Sequence, residues 1–578
     1  MRPGAGVLGA AEPGSGGERT VLTGSLATRA AAREKAAATT RRARLGAVAS
    51  VALPALVAIA LTSYQLTTRS IWLDESATIA IASQSGHALW AGMAHDGGNM
   101  LVYYAVVHLL MGWFGETVLV VRLPAVIGTA LTAAAVALLG RRLFGNRVGL
   151  SAGLISAVSL PLVYWGQNAR AYAFLFAFVA TSYVGFVALA TGESRRRPGR
   201  APLWAVPLYA GSLVLASYMS FIALLVVPAQ LLALYFWRRR VRAVVFSLAG
   251  VALLVSPLAV LAHQRGAGQL FWVPRPNFGT TGSVLEALTS SALTPNFTLT
   301  ASSLPLLGIT TLFCGCLAYR CWRWARSHRS ATGHSLEYFL AATIAGWLLL
   351  PSLLDFFESL VGQSVFESRY LLISAPALAL VLAWGIFRID FPRSGLGRYG
   401  APAMVGLFLV LRGLQILPTY GQSPENWRAA TRYVLERAEP GDCIAFYPSD
   451  GRMAFDYYLR SGDGVPAAIP TPVLPRLAFS QYRPFVEIYK ALTPAEVNSV
   501  AASCPRLWVV SSHVGGLNET ARTAVHYDRY RNMLGLLSLS YPQQVWAHFG
   551  YASRINVGLF GSHLGSDKAS LDSYLRRL

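Results

Sequence analysis

The segment "NMLVYYAVVHLLMGWFG" (99–115) decides how the chain crosses a lipid bilayer. Its apolar part, 100–114, is short for a helix that must span about 30 Å of hydrocarbon. The next apolar run, 118–140, ends at Arg141 and Arg142. If both segments crossed, these two arginines would lie outside, whereas basic residues concentrate in cytoplasmic loops. We therefore predict that 100–114 is an interfacial helix that lies along the outer membrane surface.

Composition also indicates a membrane protein. Of 578 residues, 54% are hydrophobic and 13% are charged, whereas about a quarter are charged in typical soluble domains. The net charge of +22 does not predict a nucleic-acid partner, because such binding needs basic residues on one folded face. Here eighteen arginines occur in five short clusters between apolar runs: "RRLFGNR" (141–147), "RRRPGR" (195–200), "RRRVR" (238–242), "RCWRWARSHR" (320–329) and "RIDFPRSGLGR" (388–398).

The apolar runs predict a polytopic α-helical membrane protein with about eleven transmembrane helices, the first running from inside to outside. The predicted spans are 46–66, 118–140, 147–164, 172–190, 202–218, 221–237, 243–262, 301–319, 337–356, 370–387 and 399–417. All five arginine clusters then lie in the cytoplasm. The outer loops 67–99, 165–171, 263–300 and 357–369 carry only Arg69, Arg170, Arg265, Arg275 and Arg369.

The predicted domains follow from this topology. Residues 1–45, rich in Ala, Gly and Arg, are expected to form a disordered cytoplasmic tail and not a signal peptide. Residues 46–419 form the transmembrane domain, in which 67–117 is the first outer loop with its interfacial helices. Residues 420–578 lack long apolar runs, and strand-like "CIAFYPS" and "RLWVVSSH" alternate with helical segments. They predict a soluble extracytoplasmic α/β domain.

The five cysteines divide between the two sides of the membrane. Cys314, Cys316 and Cys321 lie near the cytoplasmic end of a span, where we expect small buried apolar residues, and their spacing matches no zinc pattern. Cys443 and Cys504 lie outside, each at the start of a predicted strand. We predict a disulfide between them.

The first outer loop carries the acidic residues. Asp74 and Glu75, in "SIWLDESATIA" (70–80), directly follow the first span, and Asp96 lies at the far end of the loop. An alternative is that Asp74 only caps a helix that begins at "ESATIAIA", because aspartate is a good N-cap and acids are favourable in a first helical turn.

Arginine and tyrosine residues at the outer ends of other spans favour a functional interpretation of these acids. Arg122 begins the second span, "QNARAY" holds Arg170, and "ESRYLL" holds Arg369. An arginine at the interface can simply extend to water, but three at the level of an acidic loop predict a site for a lipid-linked phosphate, since guanidinium binds phosphate well. The predicted substrate-binding residues are Asn99, Tyr103, Arg122, Arg170, Tyr172, Arg369 and Tyr370.

Five motifs, in this order, resemble a known family. They are "WLDES", "DGGNMLVYYAVVHLLMGWFG", "VRLPAVIGTALTAAAVALLGRRLFG", "YWGQNARAYAF" and "FESRYLLISAPALAL". The sequence from about 46 to 390 resembles the C-superfamily of membrane glycosyltransferases, especially bacterial proteins similar to dolichyl-phosphate-mannose protein mannosyltransferases and lipid A aminoarabinose transferases. The resemblance implies an enzyme of the cell membrane that takes a sugar from a polyprenyl phosphate and transfers it on the non-cytoplasmic side.

The resemblance also implies roles for individual residues. The loop acid of the family corresponds to Asp74, with Glu75 adjacent, and its phosphate-binding arginines correspond to Arg170 and Arg369. This sequence departs from the family at "HDGGNM" (95–100), where many relatives carry prolines before the interfacial helix. The resemblance therefore says least about the part of the site that would bind the acceptor of the sugar.

The expected reaction is metal-independent displacement with inversion, without a cofactor. A carboxylate takes the proton of the acceptor hydroxyl, and arginines stabilise the departing phosphate. The catalytic candidates are Asp74, Glu75 and Asp96, with Asp74 preferred as base and Asp96 as the alternative base or as a group that orients the acceptor. Mannose is the sugar that the resemblance suggests, and the acceptor is a protein, lipid or cell-wall glycan outside the cytoplasm.

Two functions from other classes also fit a polytopic membrane protein. A transporter or lipid flippase should show repeated halves, or spans broken near the midplane, and the sequence shows no such pairing. A non-catalytic scaffold that only presents residues 420–578 would give no reason for an acid pair opposite arginine and tyrosine motifs.

Overall fold

The computed structural model describes ten segments of the chain. They are residues 45–192, 201–237, 240–266, 270–289, 336–389, 395–462, 466–479, 488–516, 520–551 and 553–562. Most of the predicted tail, and the predicted span 301–319 with Cys314 and Cys316, lie outside these segments, as does Cys321.

Fifteen helices precede the C-terminal domain in the described residues. They are α1 (Leu45–Ser63), α2 (Leu73–Ala82), α3 (Gly86–His95), α4 (Leu101–Phe114), α5 (Val118–Phe144), α6 (Asn146–Ala157), α7 (Leu160–Gly166), α8 (Tyr172–Thr191), α9 (Ala205–Met219), α10 (Phe221–Phe236), α11 (Val241–Arg265), α12 (Phe278–Leu288), α13 (Leu336–Val361), α14 (Ser368–Ile386) and α15 (Gly397–Thr419).

Seven of these helices, within the described part of the chain, are long and apolar enough to cross a membrane. They are α1, α5, α8, α11, α13, α14 and α15. The prediction of a polytopic α-helical membrane protein is confirmed. The count of eleven spans stays a prediction, because α9 and α10 are shorter apolar helices and 301–319 is outside the described residues.

The predicted span 147–164 is not one straight helix. It consists of α6 and α7, which are bent by 60° and would form an eighth span together. Pro161 lies in the first turn of α7. A proline is favourable there but cannot continue a preceding helix, since it has no N–H to donate, which explains the break.

Helix α4 is the segment that decides the topology. It has 14 residues, begins after Met100 in the left-handed region (φ 59°) and ends before Gly115 (φ 84°). One face is buried and includes Tyr103, Tyr104 and Val107. Its length fits the interfacial assignment, and its position along the membrane surface stays a prediction.

The C-terminal domain is built around one mixed sheet. Its elements are α16 (Trp427–Leu435), α17 (Gly451–Ser461), α18 (Pro494–Ser503), α19 (Ala521–Ser540), β1 (Cys443–Tyr447), β2 (Thr471–Leu474), β3 (Arg506–Ser511), β4 (Gln543–Phe549) and β5 (Ile555–Gly561). The strand order is β2-β1-β3-β5-β4. Strand β1 is parallel to β2 and β3, whereas β5 is antiparallel to β3 and β4.

Local sequence explains these elements. Strands β1 and β3 are buried at every position, as expected for apolar runs in the parallel part of a sheet that is covered on both faces. Helix α18 begins with a capping box in which Thr493 and Glu496 exchange hydrogen bonds, followed by Pro494 in the first turn. The predicted α/β domain is therefore present.

A disulfide joins Cys443 and Cys504, with 5.8 Å between the two Cα atoms. Cys443 begins β1, and Cys504 directly follows α18, two residues before the start of β3. Because β1 and β3 are neighbours, the two residues meet at the same edge of the sheet.

The C-terminal domain packs on the segment between α1 and α2. The Arg69 guanidinium is buried and donates hydrogen bonds from Nε to the carbonyl of Gln422 and from Nη2 to that of Thr419, both 3.0 Å long. The Ile71 N–H donates to the Tyr458 hydroxyl, at 2.7 Å. The first outer loop is thus fixed by the end of α15 and by residues of the C-terminal domain.

We predict that 67–99 and 420–578 face outward. Single substitutions Ser85→Cys and Ser538→Cys, both exposed, in a background without the three cysteines at 314–321, should react with a membrane-impermeant maleimide on intact cells. The exposed Asn146→Cys control should react only after permeabilisation. A protected Ser538→Cys would contradict the predicted topology.

Candidate active site

The two adjacent acids of the first outer loop have different environments. Glu75 is 0% exposed and forms a bidentate ion pair with the equally buried Arg122. Arg122 donates from Nε to Oε1 at 2.8 Å and from Nη2 to Oε2 at 2.7 Å. The Ala169 N–H also donates to Glu75 Oε1, at 2.7 Å.

Arg122 also fixes the chain that leads into α2. It donates to the carbonyls of Leu66 at 2.8 Å, Arg69 at 3.1 Å and Ser70 at 3.2 Å. All five N–H groups of its guanidinium are therefore used. Glu75 and Arg122, predicted as a catalytic acid and a substrate ligand, are closed to solvent and bonded to protein groups. These contacts give both residues a structural part, and their catalytic and substrate-binding roles stay predictions.

Asp74 lies in the first turn of α2 and faces the other way. The N-cap residue of this helix is Trp72, and its side chain makes no capping hydrogen bond within the described residues. Asp74 is therefore not the helix cap. Its side chain is 33% exposed, and its Oδ2 lies 3.5 Å from Arg170 Nη2 and 3.7 Å from Arg369 Nη1.

Arg170 lies in the turn between α7 and α8. Its Nη1 donates to the Asp74 carbonyl at 3.3 Å and to the Thr78 hydroxyl at 3.4 Å. Burial alone would lower the pKa of Arg170, but the neighbouring Asp74 raises the pKa above its ordinary value. This arginine therefore remains charged.

Arg369, in the first turn of α14, is surrounded by aromatic rings. Its guanidinium carbon lies 4.8 Å from the centre of the Trp272 ring and 5.5 Å from that of Tyr370. The Tyr370 ring is 6.3 Å from that of Tyr172. The structure thus brings together Arg170, Tyr172, Arg369 and Tyr370 as the sequence predicts, and it adds Trp272.

Both arginines have unused donors. Arg170 Nε and Arg369 Nε are buried atoms that have no hydrogen-bond partner within the described residues. A buried charged donor without a partner is unfavourable. The two side chains are therefore suited to an anion that would bind beside Asp74.

Asp96 is the second acid that lies close to this site. It follows α3 and accepts a hydrogen bond of 2.8 Å from the Tyr104 hydroxyl. Burial raises the pKa of Asp96 to about 6, whereas the charge of Arg170 lowers it and that of Asp74 raises it. Asn99 donates its N–H to the Asp96 carbonyl at 3.2 Å. Tyr103 is fully buried, and its hydroxyl has no partner within the described segments.

Residues of the C-terminal domain reach the same site, which sequence reasoning missed. Glu425 Oε2 accepts a hydrogen bond of 3.0 Å from the N–H of Leu73, directly before Asp74. Glu425 Oε1 lies 3.2 Å from His513 Nε2. Burial would lower the pKa of His513, but Glu425 raises it to about 9, with smaller contributions from Asp450 and Asp74.

Within the described residues, no three His, Cys, Asp or Glu side chains lie close enough together to hold a metal ion.

The buried pair predicts a large loss of stability in Arg122→Ala. Removing one partner leaves an uncompensated buried charge, which typically costs about 3–5 kcal/mol. Arg460→Ala is the matched control, since it breaks an exposed pair with Glu116, worth about 0–1 kcal/mol. Thermal unfolding of the purified protein should separate the two variants clearly. Equal melting temperatures would show that the buried pair is not a structural requirement.

The raised pKa of Asp96 predicts a pH-dependent gain of stability in Asp96→Asn. Between the ordinary value of 3.8 and about 6, the folded protein binds more protons than the unfolded chain, so wild-type stability falls as pH rises through this window. The neutral Asn variant does not lose stability in this window, and its side-chain oxygen can still accept the hydrogen bond from the Tyr104 hydroxyl. The stability difference should grow from near zero at low pH to at most about 3 kcal/mol above the window.

The measurement is the difference in unfolding free energy between Asp96→Asn and wild type at several pH values. Asp528→Asn, at an exposed position, is the control for the charge change. A difference for Asp96→Asn that stays constant with pH would contradict the assigned environment.

No protein-family model matches the sequence, and no curated protein sequence is significantly similar to it. Similar solved structures include those of ArnT from Cupriavidus metallidurans, bound to undecaprenyl phosphate and in the apo state. Each is 13% identical, covers 88% of this chain and 97% of that chain, and has a TM-score of 0.51. A structure of the Archaeoglobus fulgidus oligosaccharyltransferase with a tethered acceptor peptide is 13% identical, covers 88% of this chain and 74% of that chain, and has a TM-score of 0.48.

At this level of identity the likeness to ArnT shows a common fold. ArnT is an aminoarabinose transferase and a C-superfamily membrane glycosyltransferase. The resemblance that the sequence motifs predict is therefore confirmed for the fold, which this chain shares with ArnT.

Proposed function

We propose that the protein is a glycosyltransferase that moves a sugar from a polyprenyl-phosphate donor to an acceptor on the non-cytoplasmic side of the cell membrane. The observation that carries this proposal is the position of Asp74, a partly exposed carboxylate beside Arg170 and Arg369 at the ends of apolar helices. The ArnT structure with bound undecaprenyl phosphate supports a lipid phosphate as the ligand of this fold.

The two arginines are suited to the donor phosphate. Their contacts with Asp74, 3.5 and 3.7 Å long, exceed ordinary charge-assisted hydrogen bonds of about 2.7–2.9 Å. Their buried Nε atoms have no partner in the described residues. A phosphate between Arg170 and Arg369 would satisfy these donors and place negative charge where two cations outnumber one carboxylate.

The reaction is a single displacement at the anomeric carbon. The acceptor oxygen forms a bond to this carbon while the bond from the carbon to the phosphate oxygen breaks, and the electron pair leaves with the phosphate. Asp74 accepts the proton of the acceptor hydroxyl. Arg170 and Arg369 stabilise the charge that develops on the phosphate. Attack from the opposite face inverts the configuration, and no metal ion or cofactor takes part in the proposed step.

Asp96 is the alternative base. Its carboxyl is hydrogen-bonded to Tyr104 and has a pKa of about 6, which suits proton transfer near neutral pH. Asp74, in contrast, lies against two cations. In the preferred assignment Asp74 takes the proton and Asp96 orients the acceptor, and the variants Asp74→Asn and Asp96→Asn distinguish these roles.

The finer identity of the substrates comes from the resemblance alone. We propose a hexose, with mannose first, or a pentose as the transferred sugar. The acceptor is a hydroxyl group of a protein, lipid or cell-wall glycan. Transport of a lipid, or a scaffold role without catalysis, would leave a labelled polyprenyl-phosphate sugar chemically intact.

We predict that Asp74→Asn abolishes sugar transfer and leaves the protein folded in the membrane. The substitution keeps the shape but removes the proton acceptor, and general bases typically contribute about 10²–10⁴-fold. The assay follows consumption of radiolabelled polyprenyl-phosphate mannose and arabinose by the purified full-length protein. Glu116→Gln is the matched control, because it removes a carboxylate that is paired with Arg460 and not with Arg170 or Arg369.

The outcome assigns the base. If Asp74→Asn keeps near-normal turnover and Asp96→Asn does not, Asp96 is the base. If both keep it, neither acid has the proposed role. A wild-type protein that consumes no polyprenyl-phosphate sugar would contradict the proposed function itself.

A further inference from the structure

Side chains of the C-terminal domain bond the stretch of chain that enters helix α2. Three N–H groups within residues 70–73 donate to them: that of Ser70 to the Ser423 hydroxyl at 2.9 Å, that of Ile71 to the Tyr458 hydroxyl at 2.7 Å, and that of Leu73 to Glu425 Oε2 at 3.0 Å. Only the last of these acceptors is charged, and it bonds the residue directly before Asp74. The path of the chain up to Asp74 is therefore set in part by the C-terminal domain.

The Glu425 carboxylate is itself held on both oxygens. Its side chain is only 4% exposed. Oε2 also accepts a hydrogen bond of 3.1 Å from Trp427 Nε1, and Oε1 lies 3.2 Å from His513 Nε2. The other ring nitrogen, His513 Nδ1, lies 2.7 Å from the Ser512 hydroxyl. Because both oxygens have partners, the position of the acceptor that faces Leu73 is well defined.

The charge of Glu425 suits its place at the start of α2. The first N–H groups of a helix have no partner within the helix, and the side chain of Trp72, the N-cap residue, makes no capping bond within the described residues. A charged acceptor forms a stronger hydrogen bond than a neutral one, and negative charge is favoured at a helix N-terminus. Withdrawal of this carboxylate would therefore loosen the turn that contains Asp74.

The Asp74 side chain depends on that turn for its position. Its Oδ2 lies 3.5 Å from Arg170 Nη2 and 3.7 Å from Arg369 Nη1, which exceeds the length of about 2.7–2.9 Å for charge-assisted hydrogen bonds. A general base must lie within hydrogen-bond reach of the proton that it takes. A displacement of about 1 Å can cost about 100-fold in rate. The backbone of α2, more than these two long contacts, then decides where the base lies.

We propose that Glu425 is a positioning residue for the reaction: its carboxylate fixes the first turn of α2 so that Asp74 can take the proton of the acceptor hydroxyl. The inference rests on the proposed function. Glu425 acts through Asp74, because all of its contacts described here are with protein groups. Loss of its position should lower kcat and leave donor binding unchanged, since Arg170 and Arg369 belong to the α7–α8 turn and to α14.

Two conservative substitutions separate the reach of this side chain from its charge. Glu425→Asp keeps the charge but is one methylene group shorter, so the acceptor oxygen withdraws from the N–H of Leu73. Glu425→Gln keeps the reach, because its amide oxygen can accept from Leu73 and Trp427. Its NH₂ group can donate to Nε2 of a neutral His513, whose Nδ1–H then donates to the Ser512 hydroxyl.

The experiment uses the purified full-length protein in detergent and three measurements. Turnover is followed as consumption of radiolabelled polyprenyl-phosphate mannose or arabinose, and thermal stabilisation by undecaprenyl phosphate reports donor binding. Hydrogen–deuterium exchange of peptides over 70–82 reports the start of α2. Glu436→Asp is the matched control, because Glu436 is an exposed carboxylate of the same domain.

Glu425→Asp should lower kcat about tenfold or more and increase amide exchange at the start of α2. The KM for the donor and the stabilisation by undecaprenyl phosphate should stay as in wild type. Glu425→Gln should retain most of the turnover and of the protection from exchange, and Glu436→Asp should match wild type. In the Asp74→Asn background, Glu425→Asp should leave the residual turnover unchanged, because the group through which Glu425 acts is gone. A merely structural role would lower turnover in both backgrounds.

Four results would each overturn the inference: exchange over 70–82 that is unchanged in Glu425→Asp, a wild-type kcat in that variant, a greater loss in Glu425→Gln than in Glu425→Asp, or an equal loss in the Asp74→Asn background. Failure of the proposed function is recognised separately. In that case the wild type consumes no polyprenyl-phosphate sugar, which also removes the catalytic effect of Glu425, whereas the exchange measurement still decides whether Glu425 fixes the start of α2.

Discussion

The ion pair between Glu75 and Arg122 is the constraint on which the site depends. Every donor of the Arg122 guanidinium is used on Glu75 and on three carbonyls of the segment before α2. Glu75 in turn accepts from the backbone of Ala169, one residue before Arg170. A buried pair of this kind contributes specificity more than net stability, because desolvation offsets much of the attraction. Here it fixes the start of α2 against the turn that carries Arg170.

This constraint explains why two acids stand side by side in the sequence. Neighbouring residues of an α-helix point about 100° apart. With Glu75 turned inward to Arg122, Asp74 must turn outward, toward Arg170 and Arg369. The inner acid positions the outer one. The site that results has two cations and one carboxylate, and the buried Nε–H groups of both arginines have no partner in the described part of the chain.

Sequence patterns predicted the elements but not which face of each was buried. Apolar runs with arginine clusters gave a helical membrane protein, and Asp74, Arg170 and Arg369 were identified because ionisable residues at span ends stand out. Glu75 and Arg122 have the same appearance in the sequence, yet their side chains are closed to solvent. Spacing along the chain carries no information about which of two adjacent acids faces a cavity.

Contacts between residues far apart in the chain could not be predicted from the sequence, for a different reason. Glu425 meets Leu73 across 352 positions, and Trp272 reaches Arg369 from another loop. Neither contact is marked by a pattern in the local sequence. Pro161, in contrast, is a local signal that could have predicted the break between α6 and α7.

The contact of Glu425 with α2 gives the C-terminal domain a structural part in the site. The first N–H groups of a helix have no partner within the helix, and the N-cap residue of α2, Trp72, supplies none from its side chain. Glu425 accepts from the N–H of Leu73, the first residue of α2, and so acts as a cap from the other domain. A carboxylate at a helix N-terminus is also favoured by the helix dipole. Because His513, which follows β3, lies against the second oxygen of Glu425, the end of this strand and the helix that carries Asp74 are joined through one carboxylate. The C-terminal domain therefore helps to fix the first turn of α2, where Asp74 lies.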